Sequence, residues 1–252
     1  MGLPVERMER SALKALTWRV LATLVTAGIA WAVTGSLEFG AAVGVADSCL
    51  KLVLHYWHDR AWARSPWGMG ARPGCVVWLT GLPCSGKTTI AKLLESQLTR
   101  AGRATLRLDG DTLRGLDRGG RPGGLNSDLG FSPADRHENL RRIREVAALG
   151  EQLGATVLVA AITPYEDDRV AARHLVERFL LVHVATDERT CERRDVKGMW
   201  ARARTGEIRG FTGLDAPFEP CPSADLVIET EDETPSRSAA RVLARLRQEG
   251  WL

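Results

Sequence analysis

Hydrophobic and polar positions divide the chain near residue 70. Before that point, residues 20–33 (VLATLVTAGIAWAV) carry no charge, and a second apolar stretch from residue 39 to about residue 56 is broken only by Asp47 and Lys51. Two helices joined as a hairpin are the predicted outcome. After it, short apolar runs at residues 75–79, 104–108, 156–161, 180–184 and 226–228 alternate with segments of helical spacing at 88–101, 134–153, 167–179 and 235–250. Strands alternating with helices predict an α/β domain with a mostly parallel sheet covered by helices on both faces. Ser132 followed by Pro133 is the start signal of its long helix. Between the two patterns, residues 65–74 (SPWGMGARPG) lack periodicity and read as a linker. The organisation is therefore a helical hairpin over residues 1–67, a linker over 68–74 and an α/β domain over 75–252.

The hairpin has the marks of a membrane segment. Counting residues 16–18 and 34 brings the first run near the roughly 20 residues that a bilayer span needs, with Arg19 reaching the interface. A signal peptide would explain neither the second run nor the lack of a small-residue cleavage site. Asp47 and Lys51 are four apart on one helical face, where they can pair, and Gly40 and Gly44 give a spacing that lets helices approach closely. Arg7, Arg10, Lys14 and Arg19 precede the first run, Arg60 and Arg64 follow the second, and residues 35–38 carry no positive charge. Both ends are thus expected on the cytoplasmic side, with Trp18, Trp57 and Trp62 at the inner interface and Trp31 at the outer one. The reading is a multi-pass protein of the inner, cytoplasmic membrane, embedded through residues 15–57, with the α/β domain in the cytoplasm. A hairpin packed on the following domain, or lying flat on the membrane, remains an alternative.

Composition adds exclusions. A net charge of +3 and the absence of a basic tail argue against nucleic acid as a partner. The cysteines, Cys49, Cys75, Cys84, Cys191 and Cys221, form no CxxC pair, which suits reduced thiols and excludes a zinc site of that kind.

Chemistry enters at Gly81-Leu82-Pro83-Cys84-Ser85-Gly86-Lys87-Thr88, a complete GxxxxGK[ST] phosphate loop between a strand and a helix. Its backbone N–H groups would cradle phosphates, Lys87 would reach the β and γ oxygens, and the Thr88 hydroxyl would hold Mg²⁺. Asp109-Gly110-Asp111 follows the second strand, Thr163-Pro164-Tyr165 the third, and residues 187–197 the fourth. In such sheets ligands gather outside the carboxyl ends of the strands, so these segments surround the phosphate loop.

These motifs resemble the adenylylsulfate kinase family over about residues 74–228. The carrying segments are GLPCSGKTTIAKLL, LDGDTLR, LNSDLGFSPADRHENLRRI, ITPY and CERRDVKGMWARARTGEIRGFTGLDAPFE. The resemblance implies ATP and Mg²⁺ as cofactors and adenosine 5′-phosphosulfate as the phosphoryl acceptor. It implies catalytic roles for Lys87, Asp109, Asp111 and Lys197. Nucleotide contacts fall to residues 81–88, Thr89 and Arg194, and acceptor contacts to Asp109, Asp111, Arg114, Phe131, Arg136, Asn139, Ile162, Thr163 and Phe211. Lys197 and the helix after it resemble a mobile lid. Arg114 and Arg136 suit an acceptor bearing phosphosulfate, and Phe131 with Phe211 would sandwich its adenine. Three departures stand out: a Gly-rich stretch at 115–124, Thr163 where many members have serine, and Trp200 in place of a lid tyrosine. Residues 11–67 resemble a small family of two-helix bacterial membrane domains, through KALTWR and HYWHDRAW. Another small-molecule phosphate-loop kinase and a catalytically silent nucleotide-sensing membrane module are the competing readings, and the sequence is compatible with a homodimer.

Overall fold

The computed structural model describes residues 4–6, 13–18, 20–22, 25, 39–65, 69–71, 74–115 and 123–252. The chain divides into two compact units, one spanning Pro4–Arg72 and one built on Pro73–Leu252.

In the first unit, helix α1 runs over Phe39–Arg64 and residues 13–18 and 20–22 are helical. α1 continues about two turns past the apolar stretch because its polar end finds partners. Trp18 stacks edge-on against His55 at 4.7 Å, Lys14 pairs with Asp59 at 3.1 Å, and the Trp62 indole N–H donates to His58 Nε2 at 3.1 Å. Strand β1 (Pro4–Glu6) pairs antiparallel with β2 (Met69–Ala71), so part of the expected linker is paired. Among the described residues no helix is long and apolar enough to cross a membrane. Most of the expected first span at 20–33, the connection at 35–38, the side chain of Asp47 and residues 116–122 of the Gly-rich stretch lie outside the described residues.

The second unit is built on a five-stranded parallel sheet in the order β4-β5-β3-β6-β7, formed by β3 (Cys75–Thr80), β4 (Thr105–Asp109), β5 (Thr156–Ala160), β6 (Phe179–Ala185) and β7 (Leu226–Glu229). The central strand β3 is buried on both faces, which is why its sequence is a continuous apolar run. Alternate side chains face opposite layers. Cys75, Val77 and Leu79 pack with Ile90, Leu94 and Leu98 of α2 (Lys87–Arg100) and with Val242 and Leu246 of α8 (Pro235–Gln248). Val76 and Trp78 pack with Leu140, Ile143 and Ala147 of α4 (Pro133–Gln152) and Ala172 of α5 (Glu166–Leu175). α4 starts at Ser132, whose hydroxyl accepts from the Asp135 N–H, with Pro133 in the first turn. α5 ends four residues before the helical spacing predicts. Phe179 instead opens β6 and packs on Trp78 at 5.9 Å, so sheet burial outweighs local periodicity there.

Gly150 shows how closely these layers meet. A β-carbon there would lie 2.7 Å from Val157 Cγ2, so only glycine lets α4 approach the sheet.

Candidate active site

The phosphate loop leaves β3 at Gly81 and enters α2 at Gly86. Gly86 caps α2 with φ 105°, and a β-carbon on Gly81 would lie 2.5 Å from the Val184 carbonyl oxygen, so both positions require glycine. Cys84 adopts φ 65° without being glycine, a left-handed conformation imposed by the loop's curvature. Lys87 folds back over the loop. Its ammonium donates to the Gly81 and Leu82 carbonyls at 2.9 and 2.6 Å and to Ser85 Oγ at 3.3 Å. Burial pulls its pKa down to about 8, since nearby acidic groups such as Asp111 and Asp109 offset only part of the lost hydration. Phosphate oxygens brought beside Lys87 would supply that missing charge. Thr89 is exposed at the start of α2.

The acidic pair is joined to this loop. Thr88 Oγ1 donates to Asp109 Oδ2 at 2.7 Å, while Asp109 Oδ1 caps the short helix α3 (Gly110–Leu113) by accepting from the Asp111 N–H at 3.1 Å. Lys197 Nζ reaches Asp111 Oδ2 at 2.5 Å. The structure thus connects Lys197, Asp111, Asp109 and Thr88 in one continuous chain of polar contacts. The Thr88 hydroxyl and the Asp109 carboxylate are hard oxygen donors, the kind that suits Mg²⁺.

Lys197 comes from the segment between α6 (Glu188–Arg194) and α7 (Met199–Arg204). Asp195 anchors its base, accepting from the Ala201 N–H at 3.0 Å and lying 4.0 Å from Cys84 Sγ. Trp200 is fully buried, packs edge-on against Phe211 at 4.9 Å and donates its indole N–H to the Pro83 carbonyl at 3.3 Å. The large indole therefore ties α7 to the phosphate loop. Arg194 donates to Thr230 Oγ1 and to the Thr230 carbonyl at 2.7 and 2.8 Å, which places its guanidinium at the carboxyl end of β7.

The remaining expected residues fall into separate groups. Arg114 donates to the Leu129 and Gly130 carbonyls at 3.0 and 2.5 Å and sits over the Phe131 ring at 4.7 Å. Phe131 is 57% exposed, whereas Phe211 is 7% exposed and packs on Trp200. Phe131 thus offers an open aromatic face braced by a guanidinium, and Phe211 belongs to the apolar cluster around Trp200. Arg136 donates to the Phe131 carbonyl at 3.0 Å and also to Thr212 Oγ1 and the Gly210 carbonyl. It joins α4 to the loop carrying Phe211. Asn139 is buried and its amide oxygen accepts from Asn126 Nδ2 at 2.8 Å. The Ile162 carbonyl accepts from the Gly81 N–H at 3.3 Å and from Thr80 Oγ1 at 2.6 Å. Thr163 has φ 45° and is 1% exposed, and its hydroxyl accepts the Trp78 indole N–H at 2.8 Å. That hydroxyl is committed to packing.

Several contributors escape the sequence reading. Asn126 and Thr212 hold expected residues in place through the contacts above. Asp195 was concealed within a run of charged residues. Arg169, wholly buried below Thr163, reads in the sequence as one half of an ordinary i, i+3 pair with Glu166. No local pattern distinguishes it, because its burial comes from segments about 50 residues further on.

Comparison with known proteins places the chain among known families. Residues 73–229 match the family described as Adenylylsulphate kinase, and residues 12–63 match a family described as Predicted membrane protein (DUF2061). The adenylyl-sulfate kinase of Paraburkholderia xenovorans is 49% identical over 179 residues, covering 71% of this chain and 96% of that protein. The adenylyl-sulfate kinase of Geotalea daltonii is 45% identical over 200 residues, covering 78% of this chain and 94% of that protein. Among solved structures, the Mycobacterium tuberculosis APS kinase in complex with AMPPNP and APS superposes with a TM-score of 0.64 at 42% identity, covering 69% of this chain and 98% of that one. With the phosphate loop and the acidic pair set on a fold whose residues 73–229 match that family, the chain belongs to the adenylylsulphate kinase family of enzymes.

Proposed function

We propose that this chain transfers the γ-phosphoryl group of ATP to the ribose 3′-hydroxyl of adenosine 5′-phosphosulfate, giving 3′-phosphoadenosine 5′-phosphosulfate and ADP. We propose further that its N-terminal unit tethers it to the cytoplasmic membrane. The observation that carries the first reading is the polar chain from Lys197 through Asp111 and Asp109 to Thr88, which spans the distance between lid and phosphate loop.

In this mechanism the phosphate-loop amides and Lys87 hold the β and γ phosphates, and their charge restores what burial denies the Lys87 ammonium. Thr88 and Asp109 would hold Mg²⁺, which supplies charge neutralisation on the phosphates. Asp111 accepts the proton of the 3′-hydroxyl as its oxygen bonds to the γ phosphorus and the bond from that phosphorus to the bridging oxygen of ADP breaks. Lys197 exchanges its contact with Asp111 for the transferring group as the lid closes. Phe131 offers a face for the acceptor's adenine, with Arg114 and Arg136 nearby for its anionic groups.

The test is to incubate the fragment Pro73–Leu252 with Mg-ATP and adenosine 5′-phosphosulfate and to follow ADP release. Turnover with this acceptor, and not with gluconate, shikimate or nucleosides, is expected. Equal rates with any of those would overturn the assignment.

A further inference from the structure

Thr163 and Arg169 explain one another. A β-branched residue at φ 45° is strained, by an amount that persists only where the surroundings over-determine the conformation. Here three donors converge on it. The Trp78 indole N–H reaches the Thr163 hydroxyl, while Thr80 Oγ1 at 3.3 Å and Arg169 Nη1 at 2.8 Å reach its carbonyl. Arg169 is the charged member and has 0% exposure. Its other nitrogens donate to Glu166 Oε2 at 2.5 Å, the Glu219 carbonyl at 3.1 Å and the Pro220 carbonyl, and the guanidinium lies 5.4 Å from the centre of the Phe218 ring.

The planar fork therefore binds two loops at once. One follows β5 and carries Ile162 and Thr163. The other is the segment that begins with Phe211 and Thr212 and ends at Pro220. A second lashing runs beside it, because the Glu219 N–H donates to the Pro164 carbonyl at 2.8 Å and the Glu166 N–H donates to Glu219 Oε2 at 2.7 Å. The loop after β5 also meets the start of the phosphate loop, where the Ile162 carbonyl accepts the Gly81 N–H at 3.3 Å, whereas the Lys87 ammonium donates to Gly81, Leu82 and Ser85 and to no residue of the junction. A lysine in place of Arg169 could serve one loop but not both, since its single ammonium lacks the fork.

We infer that Arg169 is a positioning residue for the acceptor side of the reaction: it holds the strained Thr163 loop against the 211–220 segment and so sets the acceptor face, leaving the ATP side to the phosphate loop. This rests on the acceptor chemistry proposed above. A buried cation whose partners are mainly backbone carbonyls of two loops does little for the sheet core, and it acts where those loops meet.

The test uses Arg169→Lys and the milder Glu219→Gln, which loosens the same junction while keeping its shape. Expected for Arg169→Lys is a rise of about tenfold or more in KM for adenosine 5′-phosphosulfate with KM for ATP nearly unchanged, and a smaller shift of the same kind for Glu219→Gln. Amide hydrogen exchange should quicken at 162–166, 216–221 and Gly81, whose N–H is bonded to the Ile162 carbonyl, while residues 85–90 keep their protection. A parallel rise in both KM values, or exchange that quickens uniformly or at neither loop, would overturn the inference. If the wild-type enzyme does not use this acceptor the functional proposal fails, and the exchange pattern still decides the role of Arg169.

Discussion

Lys87 shows how a single residue trades stability for function. Its folded pKa, lowered from 10.5 to about 8, means that between those values the unfolded chain binds more protons than the native one. Stability should therefore rise with pH across the window from about 8 to 10.5, and the burial of the charged form costs up to ~3 kcal/mol below it. Lys87→Met should abolish turnover, remove that pH-dependent gain and leave the nucleotide-free protein no less stable at pH 7; denaturant melts of both proteins at pH 7 and pH 10 would check this. Asp111 makes the complementary case. Asp111→Asn keeps the side chain's shape but cannot take the acceptor proton, so kcat should fall by ~10²–10⁴-fold with little change in nucleotide affinity. Full activity in that variant would remove Asp111 from the catalytic set.

At the scale of elements, the phosphate loop carries strain that its sequence does not announce. Cys84 pays for a left-handed turn that glycine would adopt freely. Cys84→Gly should keep turnover and change stability by less than about 1 kcal/mol, relief of strain offsetting lost packing, whereas the β-branched Cys84→Val should cost about 2 kcal/mol and impair ATP binding. Thermal melts with and without nucleotide would separate the two. The sheet was legible beforehand because each strand is a short apolar run followed by a chemically distinctive turn. The ends of α5 and α1 were not, since Phe179 and the His55–Trp62 cluster take their state from partners distant in sequence. The expected aromatic pair illustrates the same limit. Phe131 and Phe211 look alike as letters, yet the fold leaves one open and buries the other against Trp200. Arg169 was illegible for the opposite reason, being a charged residue that only tertiary structure puts inside.

For the whole molecule, every proposed catalytic and binding residue lies within the unit built on Pro73–Leu252. Removing residues 1–72 should leave a kinase with unchanged kcat. In the N-terminal unit Leu16, Val20, Val53, Tyr56 and Trp57 are all more than half exposed, apolar surface that contact with lipid would cover. The full chain should sediment with membranes; release by alkaline carbonate would indicate a surface-bound hairpin, retention until detergent a spanning one, and release by salt alone would sink membrane insertion altogether. The pairing of Lys197 with Asp111 bears on how such an enzyme idles. A kinase holding ATP without its acceptor faces water at molar excess as a rival nucleophile, and a free carboxylate beside the γ phosphate would help water to attack. In the structure the Asp111 carboxylate is engaged by the Lys197 ammonium. On the mechanism proposed above, that contact would hold back hydrolysis of ATP until the acceptor arrives.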